Sequence, residues 1–137
     1  MADAPKLFTL EEANALIPKL ENLFTQLQLR YLEVQKILGP IEGEADPDEI
    51  ERRLQDHPHL RRHFDDIKRL VAAVQETGAI FKGIEIGLAD FAFLQGDSMA
   101  YLCWQYGEKE IRWWHTAEAG FAGRRPLPGT SGRNDLN

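Results

Sequence analysis

A single cysteine, Cys103, stands in a chain of 137 residues, which excludes an internal disulfide framework and the multi-cysteine zinc sites of finger and ribbon folds. One thiol also fits a reducing compartment. No apolar run approaches the roughly 20 residues that a membrane-spanning helix needs, and the N-terminus lacks the basic-then-apolar order of a secretory signal. Positive charge is scarce as well. Sixteen Lys+Arg against 22 Asp+Glu leave a formal charge of -6, which argues against nucleic acid or an anionic membrane surface as a partner. These absences point to a cytoplasmic protein that binds neither nucleic acid nor membrane. What is present is enough apolar residue, 43% of the chain, to build one core without metal or disulfide staples.

The clearest periodicity lies in residues 9–38, where Leu10, Ala13, Ile17, Leu20, Phe24, Leu27, Tyr31, Val34 and Leu38 alternate steps of three and four. That spacing predicts a helix with a heptad-like seam. Thr9 followed by Glu12 matches a capping box and sets its start. Pro18 removes an intrahelical hydrogen bond, so the helix is expected to kink or to restart there. Gly39-Pro40 ends it, and residues 40–46 read as a loop. Asp46-Pro47-Asp48-Glu49 then supplies an N-cap, a proline in the first turn and acidic residues that suit the helix dipole. Leu60, Phe64, Ile67, Val71 and Val74 carry a second seam, bent or broken at Pro58, as far as Gly78. The region 9–78 is therefore expected to form an antiparallel helical hairpin.

From Ala79 the period changes to two and β-branched and aromatic residues increase. A short strand is expected at Ile84 and Ile86, followed by strands near 88–94, 98–106 and 109–115, with turns at Gly96-Asp97 and Gly107-Glu108. With these turns, Phe91 faces Leu102, Trp104 faces Ile111, and Leu102 faces Trp113. One face then holds Ala89, Phe91, Phe93, Ala100, Leu102, Trp104, Ile111, Trp113 and His115. The other holds Asp90, Tyr101, Cys103, Gln105, Glu110, Arg112 and Trp114. The expected fold is α+β: a long helical hairpin packed on an antiparallel meander of three or four strands (79–115). Residues 1–123 form one domain, and 124–137 a flexible tail rich in Pro, Gly, Ser and Asn.

Several groups can carry chemistry. His115, three residues before Glu118, sits at the end of the apolar face, where an imidazole beside a carboxylate can act as general base or metal ligand. It can equally be a strand-end histidine satisfied by a backbone carbonyl. Asp90, Cys103 and Arg112 fall in one cross-strand row, which suits an anion site or an activated thiol, or an ordinary charged sheet face. On the second helix His59, His63 and Asp66 share a stripe that can chelate a divalent metal, although Arg61 and Arg62 oppose it. Arg124 and Arg125 can clamp an acidic group. Tyr101 and Trp114 beside Arg112 form a candidate contact patch.

The start Phe8-Thr9-Leu10-Glu11-Glu12-Ala13-Asn14, together with Gly87-Leu88-Ala89-Asp90-Phe91, Leu102-Cys103-Trp104, Gly107-Glu108, Trp114-His115 and Gly120-Phe121 through Arg124, resembles a bacterial family known only as a domain of unknown function. In that family Asp-Phe is followed by proline, whereas here Ala92 follows. The resemblance implies no activity, but its motif residues Asn14, Asp90, Cys103, Glu108, His115 and Arg124 are polar or ionisable. That implies a binding site on the sheet and the segment after it rather than at the helix-two histidines.

Two functions follow as expectations. The first is a non-enzymatic module that forms a homo-oligomer or binds a protein partner through its helices and exposed aromatics. The second is a metal- or small-ligand-binding protein, enzymatic or not, with a divalent transition metal as its cofactor. Its candidate ligand-binding residues are Asp90, Cys103, Glu108, Arg112, His115 and Arg124. His115 and Glu118 are the candidate metal ligands, with Glu108 or Asp90 as other acidic partners of His115, and His59, His63 and Asp66 as the alternative set.

Overall fold

The computed structural model describes residues 5–39 and 47–128. At its start the Thr9 hydroxyl accepts from the Glu12 N–H at 3.0 Å, and the Glu12 carboxylate accepts from the Thr9 N–H at 2.9 Å. This reciprocal cap satisfies two donors that have no partner in a first turn and launches α1 (Leu10–Ala15). The chain restarts as α2 (Ile17–Leu38) with Pro18 in its first turn, where the missing N–H would have had no partner anyway. The same device opens α3 (Pro47–Asp56) and α4 (Pro58–Glu76). Helices α2 and α4 pack together, and at their far end Val34, Leu38, Leu54 and Leu60 form a small satellite core.

The main core lies where these helices meet a five-stranded antiparallel sheet, β1 (Ile80–Gly83), β2 (Leu88–Gln95), β3 (Ser98–Gln105), β4 (Trp113–His115) and β5 (Arg125–Pro126), ordered as in the chain. Phe24 of α2 meets Trp104 of β3 edge-on at 5.3 Å, and Phe8 meets Phe91 at 5.0 Å. Trp104, Phe24 and Phe91 are fully buried, each contributing about 1.5–3 kcal/mol of transfer free energy. The fold is thus α+β with helices on one face of the sheet, as the periodicities require. No helix among the described residues is long and apolar enough to cross a membrane.

The structure departs from the sequence reading in four places. First, Ile84 and Ile86 lie in a turn, not a strand, and β1 precedes them at Ile80–Gly83. Gly87 closes that turn with φ of +77°, its carbonyl accepting the Tyr106 N–H at 2.7 Å. A Cβ on Gly87 would stand 2.7 Å from the Tyr106 Cβ, which cannot swing aside. Gly87→Ala is therefore expected to destabilise the protein by about 2 kcal/mol or more, read as a lowered urea midpoint.

Second, β2 and β3 pair as their turn chemistry predicts, with Phe91 opposite Leu102 and Asp90 opposite Cys103, but β4 is displaced by one residue. Leu102 faces Trp114 instead of Trp113, and Cys103 faces Trp113 instead of Arg112. The turn is centred on Tyr106-Gly107, closed by the Glu108 N–H on the Gln105 carbonyl at 2.9 Å. Pairing then lapses, because Ile111 is pulled into the core and gives its N–H to the Asn14 carboxamide at 2.8 Å. A strand has two faces, so a one-residue displacement turns every side chain of β4 over. His115 and Trp113 leave the helix-facing side, and Trp114 enters it against Phe93 at 6.1 Å.

Third, Tyr101 and Trp114 consequently lie on opposite faces and form no shared contact patch. Fourth, the segment expected as the start of the tail is a strand: Arg125–Pro126 pairs with β4, and the Leu127 N–H reaches the Arg112 carbonyl at 2.8 Å. The expected loop at 40–46 and the remainder of the tail from 129 lie outside the described residues.

Candidate metal centre

The sheet face turned away from the helices is where the polar residues collect. Alternation along β2 and β3 puts Asp90, Tyr101 and Cys103 on it, and the displaced register of β4 adds His115. Residues 116–124 fold back over this face. The Thr116 hydroxyl accepts the Ala119 N–H at 3.2 Å to bend the chain, and a 3₁₀ turn at Phe121–Gly123 follows. Asp90, Cys103 and His115 are left 3%, 1% and 4% exposed, an unusual depth for two ionisable groups.

One ligand atom from each of these three residues lies within 4.8 Å of the others. His115 Nδ1 is 2.8 Å from the Thr116 carbonyl oxygen, and Nε2 is 2.9 Å from Asp90 Oδ2. A carbonyl only accepts, so Nδ1 carries a proton. In the neutral ring, Nε2 then turns a lone pair on a carboxylate oxygen. A proton shared between Nε2 and Oδ2 reconciles the two acceptors at 2.9 Å, and a metal ion bound by the same two atoms would take that proton's place. Both ring nitrogens are thereby committed away from sulfur, so the histidine does not serve Cys103 as a base.

Burial pushes the Cys103 thiol up to about 12 from its ordinary 9.0, with the Arg124 charge opposing and Asp90 and Glu108 adding to the rise. The metal-free thiol is thus neutral and a poor nucleophile. Its linkage has a definite sign. Above the unfolded value the unfolded chain has released a proton that the folded chain keeps, so stability is complete below 9.0 and falls as pH climbs toward 12. The expected slope is up to about 1.4 kcal/mol per pH unit. Urea unfolding of metal-free protein on either side of that lower value checks it, and Cys103→Ala should abolish the decline.

Glu108 and Arg124 stand behind the cysteine rather than in the cluster. Arg124 Nη2 donates to both Glu108 oxygens, at 2.9 and 3.1 Å, and more weakly to the Cys103 carbonyl at 3.5 Å. Its guanidinium also lies over the rings of Trp113 and Phe121, at 5.0 and 4.9 Å. Glu108 Oε1 in turn accepts the Gln105 N–H at 2.8 Å. The pair braces the covering segment against β3.

The remaining sequence candidates are not brought in. Arg112 turns outward, half exposed, to pair with Glu110 at 3.1 Å, so the Asp90–Cys103–Arg112 row does not exist. Glu118 is exposed, and the carboxylate on His115 is Asp90 instead. On α4, His59 is exposed, and Asp66 is committed to Arg69 at 3.0 Å and Arg30 at 3.4 Å. The hydrogen bond from Arg69 chiefly holds the Asp66 carboxyl below its usual range, helped by the Arg30 charge against partial desolvation.

A cavity of about 290 Å³ opens on the cluster, walled by Ile80, Lys82, Leu88, Tyr101, Ala117 and Phe121. The Tyr101 ring stacks on His115, 5.6 Å between centroids. Tyr101 was legible as a site neighbour, two residues from Cys103 on the same face. Lys82 was not, because it sits at the irregularity between Phe81 and Gly83 where β1 changes register.

The profile of a family described as an uncharacterized conserved protein, DUF2203, matches residues 6–127, a span that includes the sheet and all three converging residues. No curated protein and no solved structure matches the chain.

Proposed function

The chain belongs to the DUF2203 family, and from the geometry just described we propose that it binds a divalent transition metal, zinc by preference, through Asp90, Cys103 and His115. The observation that carries this reading is the orientation of His115. Its Nδ1 faces the Thr116 carbonyl, as the outer partner of a metal-ligating histidine does, and this leaves Nε2 as the ring nitrogen turned toward Asp90, within 4.8 Å of the ligand atoms of Asp90 and Cys103. The donor set of nitrogen, oxygen and sulfur suits zinc. A thiolate and a carboxylate also neutralise a dication, which removes the penalty of burying net charge. Three protein ligands leave a fourth position toward the cavity. Such a position holds an exchangeable water and gives the metal Lewis-acid character.

The test is metal analysis of untagged protein, followed by competition of zinc with a chromophoric chelator. One zinc per chain, retained through gel filtration, is the expected result. A chain that takes up no zinc from the chelator would overturn the reading.

Self-association is a second proposal, supported by Leu29 and Leu32 of α2, which are 58% and 52% exposed one helical turn apart. Light scattering of the wild type against a Leu29→Gln, Leu32→Gln double variant checks it. A wild-type mass above that of one chain, reduced in the variant, is expected.

A further inference from the structure

The cavity over Asp90, Cys103 and His115 has a polar end and an apolar body. Ile80, Leu88, Ala117 and Phe121 form walls with no polar side chain, and Tyr101 presents its ring. Among the described residues Lys82 is the one Lys or Arg lining the space, and Arg124, behind Cys103, is matched by Glu108. With a dication balanced by the Cys103 thiolate and the Asp90 carboxylate, Lys82 leaves the cavity one positive charge in excess.

We propose that the cavity takes a small organic monocarboxylate with an apolar body. This inference rests on the metal reading above and names the ligand class for the same site. One carboxylate oxygen replaces water at the open metal position, and the charge of the group answers Lys82. The ring or branched chain of the guest lies against Ile80, Leu88 and Phe121. A neutral guest leaves the lysine unmatched, whereas inorganic phosphate brings a second negative charge and no apolar surface for those walls. The volume, about 290 Å³, stands at the lower end of ligand pockets, which limits the guest to roughly the size of a single ring with its substituent.

The experiment uses the full chain and runs in two steps. Zinc binding is measured first by chelator competition. The zinc-loaded protein is then titrated calorimetrically with benzoate, with benzamide as its uncharged counterpart, with acetate as the head group alone, and with inorganic phosphate. Benzoate is expected to bind one to one and at least about tenfold tighter than each of the others, the size of a hydrogen bond to a charged group. Lys82→Gln, at an exposed position, should weaken benzoate severalfold and leave benzamide unchanged, the preference that remains being that of the metal for a carboxylate. Zinc-loaded protein that binds benzoate no better than benzamide, or that prefers phosphate, would overturn the carboxylate proposal while the metal reading stands. Failure at the first step would overturn the metal reading itself, and the carboxylate proposal with it.

Discussion

Cys103→Ala is expected to lower zinc affinity by about a hundredfold or more. Metal sites of four protein ligands bind with apparent free energies of about 10–16 kcal/mol, so one ligand among three should carry at least the roughly 2.7 kcal/mol of a hundredfold change. Sulfur is the softest donor of the set and the one that distinguishes zinc from the hard cations. The variant should remain folded, since it deletes one buried sulfur and leaves the hydrogen bond between Asp90 and His115 in place. His115→Ala should lose zinc to a similar extent, whereas Glu118→Ala and His59→Ala should retain it. Chelator competition on the four variants reads all of this. Equal affinity of Cys103→Ala and wild type would remove sulfur from the site and leave no basis for a zinc centre.

The second large effect is on stability. Asp90→Ala in metal-free protein should cost about 3–5 kcal/mol, the usual consequence of stripping one partner from a buried pair. The side chains of His115 and Asp90 are only 6% and 4% exposed, so the imidazole loses its side-chain partner where solvent contact is small. Asp90→Asn should be much milder, because an amide N–H can donate to the Nε2 lone pair that a neutral ring presents there. Urea unfolding of the two variants gives the comparison. An alanine variant as stable as wild type would mean that the pair contributes nothing to the fold, and His115 would then be held by Thr116 alone.

Most of the fold was legible because its signals are local. The capping box at Thr9, the prolines at 18, 47 and 58, and the seams of Leu, Ile and Phe place the helical region without reference to anything distant, as two long helices kinked or broken at Pro18 and Pro58, where the structure has α1 to α4. The hairpin at Gly96-Asp97 likewise follows from two turn residues. The pairing of β4 could not be read that way. It depends on Ile111 entering a core built partly by α2 and on a hydrogen bond from its backbone to Asn14, 97 residues away in sequence. Short-range turn chemistry therefore misplaced β4 by one residue, and that single step separated His115 from Asp90 and Cys103. The three residues were each visible as candidates, and the Asp90–Cys103 pairing was correct. Their convergence was hidden by one tertiary contact. Lys82 escaped for a related reason, since an irregular edge strand has no alternation from which to read its facing.

The same displacement sorts the three tryptophans optically. Trp104 is sealed in the core and Trp114 lies with it on the helix side, whereas Trp113 stands opposite Cys103 with the Arg124 guanidinium over its ring. An indole in that position is the chain's own reporter of the cluster. A paramagnetic ion seated there should quench Trp113 more strongly than the two indoles on the helix side, and Trp113→Phe should remove the most strongly quenched component.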